Sequence, residues 1–190
     1  MKIALTGHTK GIGLATYKLL TTEGHEVVGF SRHNGWDFTD KETREEFIDL
    51  LDTDGYDCFI NNAYPHKFYQ SMEGFFQVEL LNKAWLLWEK KKDKKIICIS
   101  AAASDYIKNY FHPYNIHKKA LDETCRQLRS TREWPHIINI KPTYVDTQVV
   151  SHLTKVNKSS TKEVAELISF SLNSKVKILD LVFSAYDEEQ

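Results

Sequence analysis

Short apolar runs alternate with longer stretches of helical spacing along the whole chain. Residues 2–5 form the first apolar run, and Gly7 stops it. Residues 13–22 place Leu14, Ala15, Tyr17, Leu19 and Leu20 at helical spacing, closed by Gly24. Residues 25–30 are β-rich around Val27 and Val28, and 42–51 are amphipathic through Phe47, Leu50 and Leu51. Residues 57–60 are the next apolar run, stopped by Asn61 and Asn62. The alternation goes on through a long apolar stretch at 77–88, a run at 96–99, a helical stretch at 114–129 and a run at 137–140 that ends at Pro142. A helix at 161–172 has Ser160 or Thr161 as N-cap and Glu163 in its first turn, and a last run covers 178–183. Apolar strands this short, alternating with helices, predict a parallel sheet covered on both faces. There is no internal repeat and no linker, so residues 1–190 form a single domain.

The first run leads directly into Thr6-Gly7-His8-Thr9-Lys10-Gly11-Ile12-Gly13, with a helix behind it. This strand–loop–helix context gives glycine spacing a chemical meaning. Gly7 permits the tight turn, Gly11 leaves room for a pyrophosphate, and Gly13 lets the helix lie close to the sheet. The amides at the helix start then face phosphate with the positive end of the helix dipole. A phosphate loop of the Gly-Lys-Ser/Thr kind is excluded, because Ile12-Gly13 follows Gly11.

Four further segments stand in order behind the loop: Asp37-Phe38-Thr39-Asp40, Asn61-Asn62-Ala63, Tyr114-Asn115-Ile116-His117-Lys118, and Pro142 to Thr147. Together with residues 6–13 they resemble the short-chain dehydrogenase/reductase family, over nearly the whole chain. The resemblance implies an α/β fold: a single doubly wound Rossmann-type domain, its parallel β-sheet flanked by helices. It also implies a third strand ending near Asp37, and a cofactor site formed by Gly7, Thr9, Lys10, Gly11, Ile12, Gly13, Ser31, Arg32, Asp37, Phe38, Asn62, Ala63, Tyr114, Lys118, Pro142, Val145 and Thr147. Asp37 and Phe38 would lie by the adenine, Lys118 would hold the nicotinamide ribose, and Thr147 the carboxamide.

The chemistry of the Tyr/Lys pair follows from its spacing. Four residues apart, Tyr114 and Lys118 share one helical face. A phenol with pKa near 10 is a poor acid or base at neutral pH, and a neighbouring ammonium favours the phenolate. Tyr114 is thus the expected acid/base, Lys118 its activator. The resemblance implies a serine about 13 residues before the tyrosine, where this chain has Ala101; Ser100 is the first candidate for that hydroxyl, Ser104 the second, and neither is the third possibility. The family's helix asparagine is matched by Glu79, with Asn82 one turn on. Tyr64 stands where the family has a glycine, and would narrow the cleft.

The run Phe30-Ser31-Arg32 has no carboxylate for a ribose 2′-hydroxyl. Arg32 can grip a 2′-phosphate, Ser31 can add a hydroxyl and Lys10 a second cation. NADP is therefore expected ahead of NAD. The expected activity is hydride transfer between nicotinamide and a small carbonyl or alcohol. The alternative is a nucleotide-binding member without efficient catalysis, a cofactor sensor or partner-binding module.

Composition narrows the partners. Lys+Arg 25 against Asp+Glu 26 gives a net charge of −1, which speaks against a nucleic-acid binder that works by global charge. No run approaches the roughly 18 apolar residues of a membrane span, and the first run is too short for a signal peptide, so a cytoplasmic location is expected. Cys58, Cys98 and Cys125 form no C-x-x-C pair and read as reduced thiols. The eight histidines include no His-x-x-x-His pair with a carboxylate partner, so no metal is expected. Five lysines in 89–95 read as a solvated turn. The aromatic group Tyr64, His66, Phe68, Tyr69, Tyr106, Tyr110 and His112 reads equally as a substrate pocket or as loop packing. The resemblance implies a homodimer or homotetramer through residues 77–88 and 114–129; the run from Trp85 to Trp88 supplies an apolar face beyond the one a surface helix needs, which could meet a partner or the chain's own loops.

Overall fold

The computed structural model describes residues 1–105, 112–148 and 151–185. Six strands, β1 (Lys2–Thr6), β2 (Glu26–Phe30), β3 (Cys58–Asn61), β4 (Lys95–Ile99), β5 (His136–Pro142) and β6 (Asp180–Phe183), form one sheet. Their order is β2-β1-β3-β4-β5-β6, and every pairing is parallel. Five helices connect them: α1 (Gly11–Thr22), α2 (Lys41–Thr53), α3 (Phe76–Leu87), α4 (Pro113–Thr131) and α5 (Thr161–Asn173).

The strands are apolar at nearly every position because both faces of the sheet are covered. Ile3, Leu5, Ile60, Ile97, Ile138 and Ile140 point to one face and pack with Leu20 of α1 and Val164, Ile168 and Leu172 of α5. Ala4, Phe59, Ile96, Cys98 and Ile137 alternate to the other face, against Phe47 and Leu51 of α2, Leu80, Leu81 and Trp85 of α3, and Leu121 and Cys125 of α4. Ser160 caps α5 as expected: it accepts from Glu163 N at 3.1 Å while Glu163 accepts from Ser160 N at 2.6 Å. Among the described residues no helix is long and apolar enough to cross a membrane.

One expectation is corrected. No strand ends at Asp37, and β2 is the edge of the sheet. Only residues 31–40 separate β2 from α2, fewer than the dozen or so that a crossover to a parallel strand requires. The segment instead turns back on itself. Asp37 Oδ1 accepts from Thr39 N at 3.0 Å, Trp36 packs edge-on to Phe30 at 5.0 Å, and Phe38 to Phe47 at 5.2 Å. Of the two places open to the apolar run at 85–88, this chain's own packing takes most of it. Trp85 and Trp88 are buried in this chain's own core, and Leu86 alone of the four is exposed.

Candidate active site

The order of the strands reverses direction between β1 and β3, and the loops at the carboxyl ends of β1, β3, β4 and β5 meet there, where open α/β sheets hold their ligands. The glycine loop follows β1. Gly7 has φ +75° and Gly11 φ +51°, values that favour glycine. Gly7 N donates to Phe30 O at 2.7 Å. A Cβ on Gly13 would stand 2.1 Å from Gly7 O, so only glycine lets α1 come this close to the loop. The first turn of α1 has neither a side-chain cap nor an acidic residue. Its leading amides are left to an anion, and a nucleotide pyrophosphate fits that cradle.

Two segments hold the loop in place. Thr6 Oγ1 accepts from Asn62 N at 3.0 Å and Ala63 N at 3.1 Å, and Asn62 Nδ2 donates to Thr6 O at 2.9 Å. From the other side, the Thr147 methyl lies 3.2 Å from where a Gly11 Cβ would be. Thr147 is brought there by the turn after Pro142, where buried Val145 bridges to Ser159. Thr9 and Ile12 are half-buried, and Lys10 is exposed.

Tyr114 and Lys118 stand in the first turns of α4. Lys118 is buried, and Nζ donates to Gln77 Oε1 and to Ile99 O, each at 2.8 Å. It lies 4.9 Å from the centre of the Tyr64 ring and 5.6 Å from that of Tyr114. Tyr64 packs edge-on to Tyr114 at 5.1 Å, while Tyr69 stacks on Tyr114 at 4.4 Å with the rings 6° from parallel. Burial, and then Tyr69, hold the Tyr114 phenol well above its ordinary pKa. Burial brings the Lys118 ammonium down to about 7, against the charge of Asp122. Burial is the largest cause of both shifts, as it disfavours the charged form of each group.

No family model and no curated protein matches the sequence. Among solved structures, the chain superposes on 3-alpha-hydroxysteroid dehydrogenase from Pseudomonas sp., complexed with NADH, with a TM-score of 0.79 and 20% identity over 97% of this chain and 95% of that one. A short-chain dehydrogenase from Burkholderia cenocepacia in complex with NADP gives 0.78 and 15% over 97% and 88%. An alcohol dehydrogenase from the archaeon Thermococcus sibiricus, complexed with 5-hydroxy-NADP, gives 0.75 and 19% over 100% and 98%. The fold is that of the short-chain dehydrogenases. What carries across at these identities is the course of the chain; the side chains of this short-chain dehydrogenase fold stand on their own geometry.

Both candidate serines make hydrogen bonds away from Tyr114. Ser100 is buried and donates to Lys118 O at 3.3 Å; Ser104 bonds Ala101 O at 2.8 Å and Asp122 Oδ2 at 2.5 Å. Ala101 is buried between them. Glu79 is turned toward Arg44 (2.8 Å) and Lys83 (3.1 Å), and Asn82 is exposed beside it on a cavity of about 600 Å³. The α3 side chain that reaches Lys118 is Gln77, missed in the sequence although it is polar in the otherwise apolar stripe of Phe76, Leu80, Leu81 and Ala84. His117, which carries no role in the sequence reading, also reaches this cluster, while Tyr69 belongs to the aromatic group that reads equally as pocket or packing. Tyr64 Oη and His117 Nδ1 are 2.6 Å apart, and a Cβ on Gly74 would collide with the His117 ring at 2.3 Å.

At the adenosine end, Ser31 is buried and its Oγ donates to Asn34 Oδ1 at 3.2 Å, so its hydroxyl is already used. Arg32 follows in the short 3-10 turn Arg32–Asn34; its carbonyl accepts from Gly35 N at 3.3 Å, and its exposed guanidinium makes no hydrogen bond or ion pair among the described residues. Asp37 is half-buried, and the Phe38 ring belongs to the core. Of the aromatic group, Tyr64, His66, Tyr69 and His112 gather around Tyr114, and Phe68 packs on Phe76 at 5.8 Å. Tyr106 and Tyr110 lie outside the described residues.

Proposed function

We propose that this protein is an NADP-dependent oxidoreductase that moves hydride between nicotinamide and a small carbonyl or alcohol compound, with Tyr114 as the acid/base. The observation that carries the reading is the short segment Asn62-Ala63-Tyr64. At one end Asn62 fastens the glycine loop, and two residues on Tyr64 touches both Tyr114 and Lys118. Consecutive Cα atoms are about 3.8 Å apart, so one short segment links the glycine loop to the Tyr/Lys pair, which supports a common site for both. The neighbours complexed with NADH, NADP and 5-hydroxy-NADP support the same cofactor class.

The residues divide the work. Gly7, Gly11 and Gly13 would admit the pyrophosphate, and Arg32 with Lys10 would meet a 2′-phosphate. A bound nicotinamide supplies or accepts the hydride. Tyr114 holds the proton at its Oη and transfers it to or from the substrate oxygen. Lys118, fixed by Gln77 and Ile99 O, stands ready to hold the nicotinamide ribose. In its charged form Lys118 would favour the phenolate of Tyr114.

The test combines titration of NADPH and NADH with a panel of aldehydes, ketones and alcohols. The expected result is tighter binding of NADPH, turnover on some member of the panel, and loss of turnover in Tyr114→Phe with cofactor affinity retained. Full turnover in Tyr114→Phe defeats the mechanism. The engagement of Ser100 and Ser104 elsewhere favours a second reading, a nucleotide-binding protein without efficient catalysis. It predicts NADPH binding with no turnover on any substrate.

A further inference from the structure

A carbonyl oxygen that gains a hydride at its carbon develops negative charge, and convergent hydrogen-bond donors are the usual means of stabilising it. Tyr114 is one donor. Ala101 offers none, and the hydroxyls of Ser100 and Ser104 are spent on Lys118 O and Asp122. The hydroxyl that the fold does bring to Tyr114 comes from the loop after β3. Tyr69 closes the short 3-10 turn His66–Phe68, and its ring lies flat on Tyr114 at 4.4 Å between ring centres, which sets one phenol against the other. The stack is braced. The His66 ring lies along Tyr69 at 5.4 Å, 25° from parallel, and Tyr64 meets Tyr69 edge-on at 5.8 Å. Tyr69 is absent from both hydrophobic core clusters, so core packing does not account for its place.

We propose that Tyr69 is the second hydroxyl of the reaction centre, hydrogen-bonding the substrate oxygen that Tyr114 protonates. The proposal rests on the oxidoreductase reading above. In the reducing direction a new C–H bond forms at the substrate carbon with the hydride of a reduced nicotinamide. The C=O π pair moves onto oxygen, and that oxygen takes the Tyr114 proton, which water replaces. Tyr69 keeps its proton throughout and donates a hydrogen bond. Tyr64, Tyr69, Lys118 and Asp122 act on the Tyr114 phenol, with His112 6.1 Å from its ring; His66 and His112 lie beside Tyr69. Tyr69 pushes the pKa of the Tyr114 phenol up, while Tyr114 draws the pKa of Tyr69 down against a burial that raises it.

The variant Tyr69→Phe keeps the ring and removes only the hydroxyl. Two measurements on the full chain test it: carbon-13 tyrosine NMR titration without cofactor, and steady-state kinetics with NADPH. In the titration, Tyr114→Phe identifies the Tyr114 signal. The expected results are a Tyr114 titration moved to lower pH in Tyr69→Phe, and kcat reduced at least tenfold with the KM for NADPH within twofold. An unmoved Tyr114 titration overturns the proposal, and so does a kcat within twofold of wild type. A wild type without turnover on any substrate removes the oxidoreductase reading and the role of Tyr69 with it, whereas an active wild type beside an equally active Tyr69→Phe removes the role of Tyr69 alone. If Tyr69→Phe does not fold, Tyr69→His gives the same kinetic comparison with a ring and a donor retained; activity above that of Tyr69→Ala supports the proposal, and equal activity overturns it.

Discussion

Gln77 and Lys118 join α3 to α4 beneath the proposed reaction centre. Gln77 Oε1 accepts from Lys118 Nζ at 2.8 Å, while Gln77 Nε2 donates to Asn61 O at 3.0 Å and Asn61 Nδ2 returns a bond to Gln77 O at 2.8 Å. One amide side chain thus ties the end of β3 to the lysine of α4. All three residues are buried, so each lost partner leaves a polar group without water.

Gln77→Leu is therefore expected to destabilise the protein by about 2–4 kcal/mol, since a buried donor or acceptor left unmade costs about 1–3 kcal/mol and more when it can be charged. In a domain of this size that corresponds to a fall in Tm of roughly 5–15 °C. Thermal unfolding followed by circular dichroism measures it. A change under about 2 °C would show that Lys118 finds another partner.

Much of this arrangement is legible in the sequence. The apolar runs gave six strands in the right order, because period-2 burial on two covered faces leaves an unmistakable pattern in Ile3-Ala4-Leu5 and Ile96 to Ile99. The glycine loop and the Tyr/Lys spacing are local motifs, and each is placed by the strand or helix that carries it. What the sequence hides are contacts between distant segments. Nothing near Tyr69 in the chain points to Tyr114, and Gln77 reads as a stray polar residue until α4 is laid beside α3. The third strand expected near Asp37 fails for a countable reason, the short distance from Phe30 to Lys41, which outweighs the motif.

Lys118 sets a pH dependence of stability. Its pKa falls from the ordinary 10.5 to about 7 in the folded protein, through burial. The unfolded chain binds its proton more tightly, so between about pH 7 and 10.5 the unfolded state holds more protons and stability rises with pH. Below pH 7 both states are protonated and the full cost of the buried charge is present. Denaturant unfolding at pH 7 and pH 9 should show higher stability at pH 9, and Lys118→Met should lose most of that difference. An unchanged pH slope in Lys118→Met would assign the effect to other groups.

Gly13→Ala tests the cradle. The new Cβ would stand 2.1 Å from Gly7 O, a backbone atom that cannot step aside without moving the loop. Overpacking of this kind costs about 1–3 kcal/mol. Because the displaced atoms belong to the cofactor loop, NADPH and NADH binding should weaken together, by tenfold or more. Calorimetric titration of both cofactors decides it, and unaltered affinity would place the pyrophosphate elsewhere.

Arg32→Ala tests the proposed preference for NADP. Arg32 follows the carboxyl end of β2 with its guanidinium exposed and uncommitted among the described residues, while the neighbouring Ser31 hydroxyl is held by Asn34. A two-pronged contact to a 2′-phosphate adds charge-assisted hydrogen bonds of about 1.5–3 kcal/mol each, reduced here by solvent screening. Arg32→Ala should weaken NADPH binding by roughly 1–3 kcal/mol, about 5- to 150-fold. NADH has no such phosphate, so its affinity should stay within twofold. Lys10→Ala should cost less, since an ammonium is a point charge with no fork to satisfy. Because both cations are exposed, raising the salt concentration should erode NADPH binding more than NADH binding. Serine cannot compensate: with its Oγ directed to Asn34, Ser31→Ala should change NADPH affinity by less than Arg32→Ala does. Equal weakening of NADPH and NADH in Arg32→Ala would make the arginine a support of the turn after β2, and the preference for NADP would lose its main physical basis.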